Sequence, residues 1–178
     1  MRRFQGWIKR VLAVASLVSA AVWLGSAPAL AGGNPNRQPN LPLPPPFTQA
    51  LCDPAIGDVT VSVDPSTFRS YFKTFTLRDG TTKVQFNGYA REIVQGNGKT
   101  LELNVSGPGA FYITPDGAFS AVGEGHLFYI GPVGTPQKGL FMYTGKTVLT
   151  PINTADYGTI FVVSSYTGNK TDVCALLA

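Results

Sequence analysis

What most constrains this chain is its punctuation. Turn signals recur at Asp79-Gly80, in Gly-Asn-Gly at 96–98, in Ser-Gly-Pro-Gly at 106–109, at Asp116-Gly117 and in the longer GPVGTPQKG at 131–139. Between them lie short runs rich in Val, Ile, Thr, Phe and Tyr. β-branched and aromatic side chains suit a pleated surface, and Asp-Gly or Asn-Gly supplies the positive φ of a two-residue hairpin. The pattern predicts strands over 58–64, 70–78, 82–94, 99–106, 109–115, 118–130, 139–150 and 158–167, an antiparallel meander of about eight strands.

Alternation assigns the faces, because successive strand side chains point to opposite sides of a sheet. Leu101, Leu103 and Val105 share one face, against Glu102, Asn104 and Ser106. Val84, Phe86, Gly88 and Ala90 lie opposite Lys83, Gln85, Asn87 and Arg91, and Phe141, Tyr143, Gly145 and Leu149 lie opposite Lys146. Strands with one apolar face close into a barrel or pack as two sheets. An all-β small barrel is favoured over a sandwich, since hairpin follows hairpin without the long crossing of a Greek key. Glycines 88, 123, 125 and 145 within strands suit tight curvature.

The ends of the chain read differently. MRRFQGWIKR places four cations before the apolar run VLAVASLVSAAVWLG, and SAPALA follows. That is the layout of a signal peptide over 1–31, with Ala29 and Ala31 forming the A-x-A cleavage pattern, and the run is shorter than the roughly 20 residues that span a bilayer. The spacing after Arg2-Arg3 fits the general secretory route better than twin-arginine export, so contact with the membrane is expected only through this peptide. Residues 32–48 are proline-rich and predict a polyproline II linker. Residues 49–178 form the barrel domain. All four basic residues before position 11 leave with the signal and no acid goes with them, so ten cations and ten anions remain. The pI of about 9.2 therefore belongs to the precursor, and the scattered cations of the mature chain argue against nucleic acid.

Cys52 and Cys174 bracket the domain, and export to an oxidising compartment predicts a disulfide between them. TDVCALLA, the segment that contains Cys174, reads as a short helical turn capped by Thr171 or Asp172.

Chemistry is narrowed by exclusion. His126 is the single histidine, and no G-x-S-x-G elbow is present to support a serine triad. With the cysteines paired, no zinc ligand set is available, so no metal and no cofactor is expected. GPGAF and GNGK lack the strand–loop–helix context of a phosphate loop. The acids sit mostly beside turns, as Asp79 and Asp116 do, and do not read as an opposed glycosidase pair. The weak catalytic candidates are Glu124 and His126, on one face of strand 118–130 with Val122, Phe128 and Ile130. The other face carries Phe119, Ala121, Gly123, Gly125, Leu127 and Tyr129. If that glycine face is inward, the Glu–His pair is solvent-facing; if not, the pair meets in an apolar interior with perturbed pKa values. Phe128 and Tyr143 are candidate contacts for an apolar ligand.

Through ELNVSGPGAFYITPDGAFSAVGEGHLFYIG and YTGNKTDVCALLA, most of residues 50–178 resembles small secreted actinobacterial β proteins. That resemblance implies an extracytoplasmic β protein of unassigned activity. In architecture alone the chain is similar to lipocalin and allene oxide cyclase barrels, from which no functional residue carries over. The function expected is a secreted binding module, holding a small apolar ligand or presenting loops to a cell-surface partner. A surface or cell-wall structural protein is the alternative, and a small isomerase, cyclase or hydrolase working through Glu124 and His126 is the third reading.

Overall fold

The structure, a computed structural model, describes residues 38–39 and 43–178; the signal-peptide reading and most of the linker reading lie outside the described residues. The strands are β1 (Gln38–Pro39), β2 (Phe47–Gln49), β3 (Val59–Val63), β4 (Arg69–Thr76), β5 (Thr82–Gly96), β6 (Lys99–Ile113), β7 (Phe119–Gly131), β8 (Gly139–Thr154) and β9 (Gly158–Asp172). A helical turn, α1 (Val173–Leu177), ends the chain. Every pairing is antiparallel, and the sheet runs β1-β4-β5-β6-β7-β8-β9, with β2 and β3 entering beside β5. The fold is the expected all-β meander, curled into a half-barrel. Among the described residues no ladder joins β9 to β4.

Two strand assignments differ from the sequence expectation, each for a local reason. Ser106–Gly109 is not a turn, and the expected strands 99–106 and 109–115 are one continuous β6. Proline is tolerated here because the β6–β7 ladder is interrupted between Ser106 and Gly109, where Gly107 adopts φ 144°. The expected strands 58–64 and 70–78 are not a hairpin. β3 and β4 pair in succession along one edge of β5, at 92–95 and 82–89. The connection between them is stitched to β5 by Asp64 N–H donating to the Arg91 carbonyl and by Arg91 N–H donating to the Thr67 hydroxyl, both at 2.9 Å. β2 also begins at Phe47, inside the proline-rich stretch, where it pairs with Val61.

The true hairpin turns follow their chemistry. Asn97 and Gly98 take φ of 50° and 71° between the paired Gly96 and Lys99, as a two-residue primed turn requires. Asp79 accepts from Thr81 N–H at 2.9 Å, and that backbone bond holds its carboxyl below the usual range. Asp116 is lowered first by the Thr114 hydroxyl and then by Ala118 N–H.

A line of glycines crosses the sheet at right angles to the strands. Gly88 pairs with Gly107, Gly125 pairs with Gly145 and Gly145 with Gly168. Gly107 and Gly125 face each other between the pairs Ser106–His126 and Gly109–Gly123. At Gly107, Gly125, Gly145 and Gly168 the backbones approach too closely for any side chain. A Cβ on Gly107 would lie 1.7 Å from the Glu124 carbonyl oxygen, and one on Gly145 2.1 Å from that of Thr167. At the line the β6–β7 ladder ends, while β7–β8 and β8–β9 continue.

Two cores result. In the first, Val94 of β5, Leu101, Leu103 and Val105 of β6 and Val59 and Val61 of β3 pack against Phe128, Ile130, Leu140 and Met142 of the β7–β8 hairpin. Leu51, Ile56, Val173 and Leu177 close it, tied by the Cys52–Cys174 disulfide with Cα atoms 5.4 Å apart. In the second core, Tyr129 and Tyr143 from the opposite face of that hairpin pack against Ala121, Leu149 and Val163 from beyond the glycine line. The hairpin thus folds back as a middle layer, buried on both faces. α1 is capped by Asp172, whose carboxylate accepts from Ala175 N–H at 3.3 Å. Its C-terminal carbonyls receive bonds from Asn97 at 2.9 Å and Lys99 at 2.6 Å on the β5–β6 turn.

Candidate functional site

The two expected catalytic side chains are exposed. Glu124 sits opposite Lys146 and His126 opposite Thr144 across the β7–β8 ladder. His126 Nδ1 lies 3.4 Å from the Ser106 hydroxyl, also at the surface. Of the two orientations open to this strand, the glycine face is the inward one up to Gly125. Beyond it both faces are covered, which is why the neighbours Phe128 and Tyr129 are both buried. Phe128 and Tyr143 are buried in different cores, on opposite faces of the hairpin, and so do not line one site.

The structure brings together a set of side chains that sequence reasoning did not single out. On the inward face beyond the glycine line, Phe86 of β5, Phe111 of β6, Phe119 of β7 and Phe161 of β9 form a continuous strip. Successive ring centroids are 4.9, 5.5 and 4.8 Å apart. β7 and β9 flank β8, so rings of Phe119 and Phe161 this close require the sheet to curl strongly toward this face. All four rings are half-buried. Between them the floor is small: Phe86 lies over Gly109, and above Gly123 the Thr147 hydroxyl is the one atom a Cβ would approach. The register also places Phe72, Val84, Ile113, Ala121, Leu149 and Val163 here, and no charged residue of these strands occupies the face between the glycine line and the β6–β7 turn.

The β9 side of the strip is closed by polar contacts. Tyr129 donates its hydroxyl to the Phe161 carbonyl at 3.1 Å. The Gln137 carboxamide takes both backbone groups of Val163, donating to its carbonyl at 2.7 Å and accepting from its N–H at 2.9 Å. A register shift at Val148/Leu149 marks a bulge beside these bonds. Burial, with a smaller effect of the neighbouring Tyr143, pushes the Tyr129 phenol up to about 12. Lys170 lies 3.8 Å over the Phe141 ring, giving the exposed part of β9 a charged guard.

One carboxyl stands on an apolar face. Glu92 continues the β5 face of Val84, Phe86, Gly88 and Ala90 and pairs across to Val63 and Leu103. Burial alone raises it to about 7. Among the described residues nothing hydrogen-bonds or ion-pairs with it. The alternation that marks this face in the sequence contains Glu92 at its next position, and that was the available signal.

Among the described residues no cluster of three or more His, Cys, Asp or Glu is placed to hold a metal ion, and no helix is long and apolar enough to cross a membrane. No family model matches the chain, and neither a curated protein nor a solved structure matches it.

Proposed function

We propose that this chain is a secreted binding module whose half-barrel takes a small apolar ligand on the phenylalanine strip. The observation that carries the reading is the strip itself: four adjoining phenylalanines, half-buried and free of neighbouring charge, on the inward face of a curled sheet. Protein interiors bury such rings where they can, and an aromatic wall with a small-residue floor is the usual make-up of a site for an apolar molecule. The exposed Glu124 and His126 lack the enclosed setting that tunes a general acid or base, which weighs toward binding over turnover. Secretion is supported by the leader pattern of 1–31, by the resemblance to small secreted actinobacterial proteins and by the disulfide, which suits an oxidising compartment.

Native mass spectrometry of protein purified from the secreted fraction tests the reading. A discrete apolar molecule bound at one copy per chain, and lost in Phe111→Ala, is the expected result. A structural protein would carry none, before or after exposure to apolar compounds.

A further inference from the structure

The phenylalanine strip does not end at the glycine line on β5 and β6. Along β5 its face continues from Phe86 through Gly88 and Ala90 to Glu92, and along β6 from Gly109 through Gly107 to Val105 and Leu103. The middle of this path is lined by the smallest residues in the fold, and it joins a ring at one end to a single carboxyl at the other. Six residues of strand separate the two, about 20 Å at the usual rise.

A carboxyl in this position is a liability unless something pairs with it. Ionised, it is a charge partly stripped of water among Val63, Ala90 and Leu103, and no described group hydrogen-bonds or ion-pairs with it. An apolar side chain at position 92 would extend the first core without that cost. The described residues supply no counter-charge. β3 presents Val61 and Val63 to it, β6 presents Leu101, Leu103 and Val105, and the side chains that β7, β8 and α1 contribute to the adjoining core are apolar. The neighbouring charges Arg91 and Glu102 point to the opposite face and pair with each other at 3.1 Å. His126 is exposed beside Ser106, which also lies on that opposite face of β6.

We propose that Glu92 receives the cationic head of the ligand, and that the ligand class is an amphiphile with a protonated amine and an apolar body lying along β5 toward the phenylalanine strip. The inference rests on the binding-module reading, and it adds the charge and the orientation. The ammonium group completes an ion pair that the fold leaves open, and the charge-assisted bond is strengthened by the apolar walls.

Calorimetric titration with octylamine and with octanol separates the two levels of the claim. Binding of the amine about ten-fold tighter than the alcohol at pH 8, with the preference abolished in Glu92→Gln and the alcohol affinity unchanged, is the expected result. Equal binding of both compounds, or an amine preference that survives in Glu92→Gln, overturns the role of Glu92 and leaves the apolar site standing. Failure of both compounds to bind overturns the apolar site and this inference with it. Repeating the wild-type titration at pH 5 gives an independent check: the amine preference collapses there because Glu92 is protonated, and a preference unchanged at pH 5 contradicts the assignment.

Discussion

The Tyr129 hydroxyl donates to the backbone carbonyl of Phe161, 32 residues later in the chain and two strands away. A β7 side chain reaches the β9 backbone on the far side of β8 only because the β7–β8 hairpin folds over at the glycine line. Together with Gln137 on Val163, this contact seals a sheet edge without a ladder. Tyr129→Phe removes the bond and leaves the ring in place, with an expected loss of about 1 kcal/mol. Gln137→Ala leaves two edge groups of Val163 unpaired and should cost about as much or more, and the double variant should fall short of the sum. Denaturant melts of the three proteins check this.

The glycine line makes a sharper prediction. Gly145 has φ 114° and a Cβ there would lie 2.1 Å from the Thr167 carbonyl oxygen. Gly145→Ala should destabilise the fold by about 3 kcal/mol or more through strain and steric conflict. Gly123→Ala, where the one near atom is the Thr147 hydroxyl at 3.2 Å and φ is ordinary, should cost far less. Equal melting temperatures for the two variants would remove the glycine line as the reason the sheet folds back.

Glu92 gives stability a pH dependence of defined sign. Its folded-state pKa is raised to about 7, above its ordinary value of 4.5. The native state therefore holds a proton that the unfolded state has released between those values. The contribution is fully present below about pH 4.5 and is lost as pH rises through 7, amounting to roughly 3 kcal/mol. Glu92→Gln should flatten this part of the profile and make the protein more stable than wild type at pH 8.

Removing the Cys52–Cys174 crosslink by a double serine substitution should cost about 3 to 5 kcal/mol, since it closes a loop of 122 residues. The disulfide joins the segment before β3 to α1 over the first core, so the loss should appear first as solvent exchange at Val173–Leu177. Exchange that begins instead in β7 or β8 would place the weak point elsewhere.

The parts of the fold governed by local rules were legible in the sequence. Asp-Gly and Asn-Gly turns, the faces of β5 and β6, the Cys52–Cys174 pair and a C-terminal helical turn capped at Thr171 or Asp172 all follow from spacing and side-chain chemistry. What was not legible depends on non-local approach. Ser-Gly-Pro-Gly at 106–109 has turn composition, yet Gly107 serves a close approach to Glu124 on the next strand, and nothing in β6 alone reveals that neighbour. The folding back of β7–β8 is similarly hidden, because Phe128-Tyr129 and Met142-Tyr143 break alternation in a way that also suits an irregular strand. Glu92 follows the same alternation as the apolar face of β5, but a single acid in a strand is ordinarily solvated, so alternation alone does not mark it. The phenylalanine strip required the register of four strands, which no single segment encodes.

The most direct measurement is fluorescence titration of the folded 49–178 region, within its full chain, with a neutral naphthalene dye. Saturable binding at one site per chain, weakened about ten-fold or more in Phe119→Ala and unchanged in His126→Ala, is the outcome the phenylalanine strip predicts. Absence of saturable binding, or equal affinity in wild type and Phe119→Ala, would contradict an apolar ligand site on the inward face of this half-barrel.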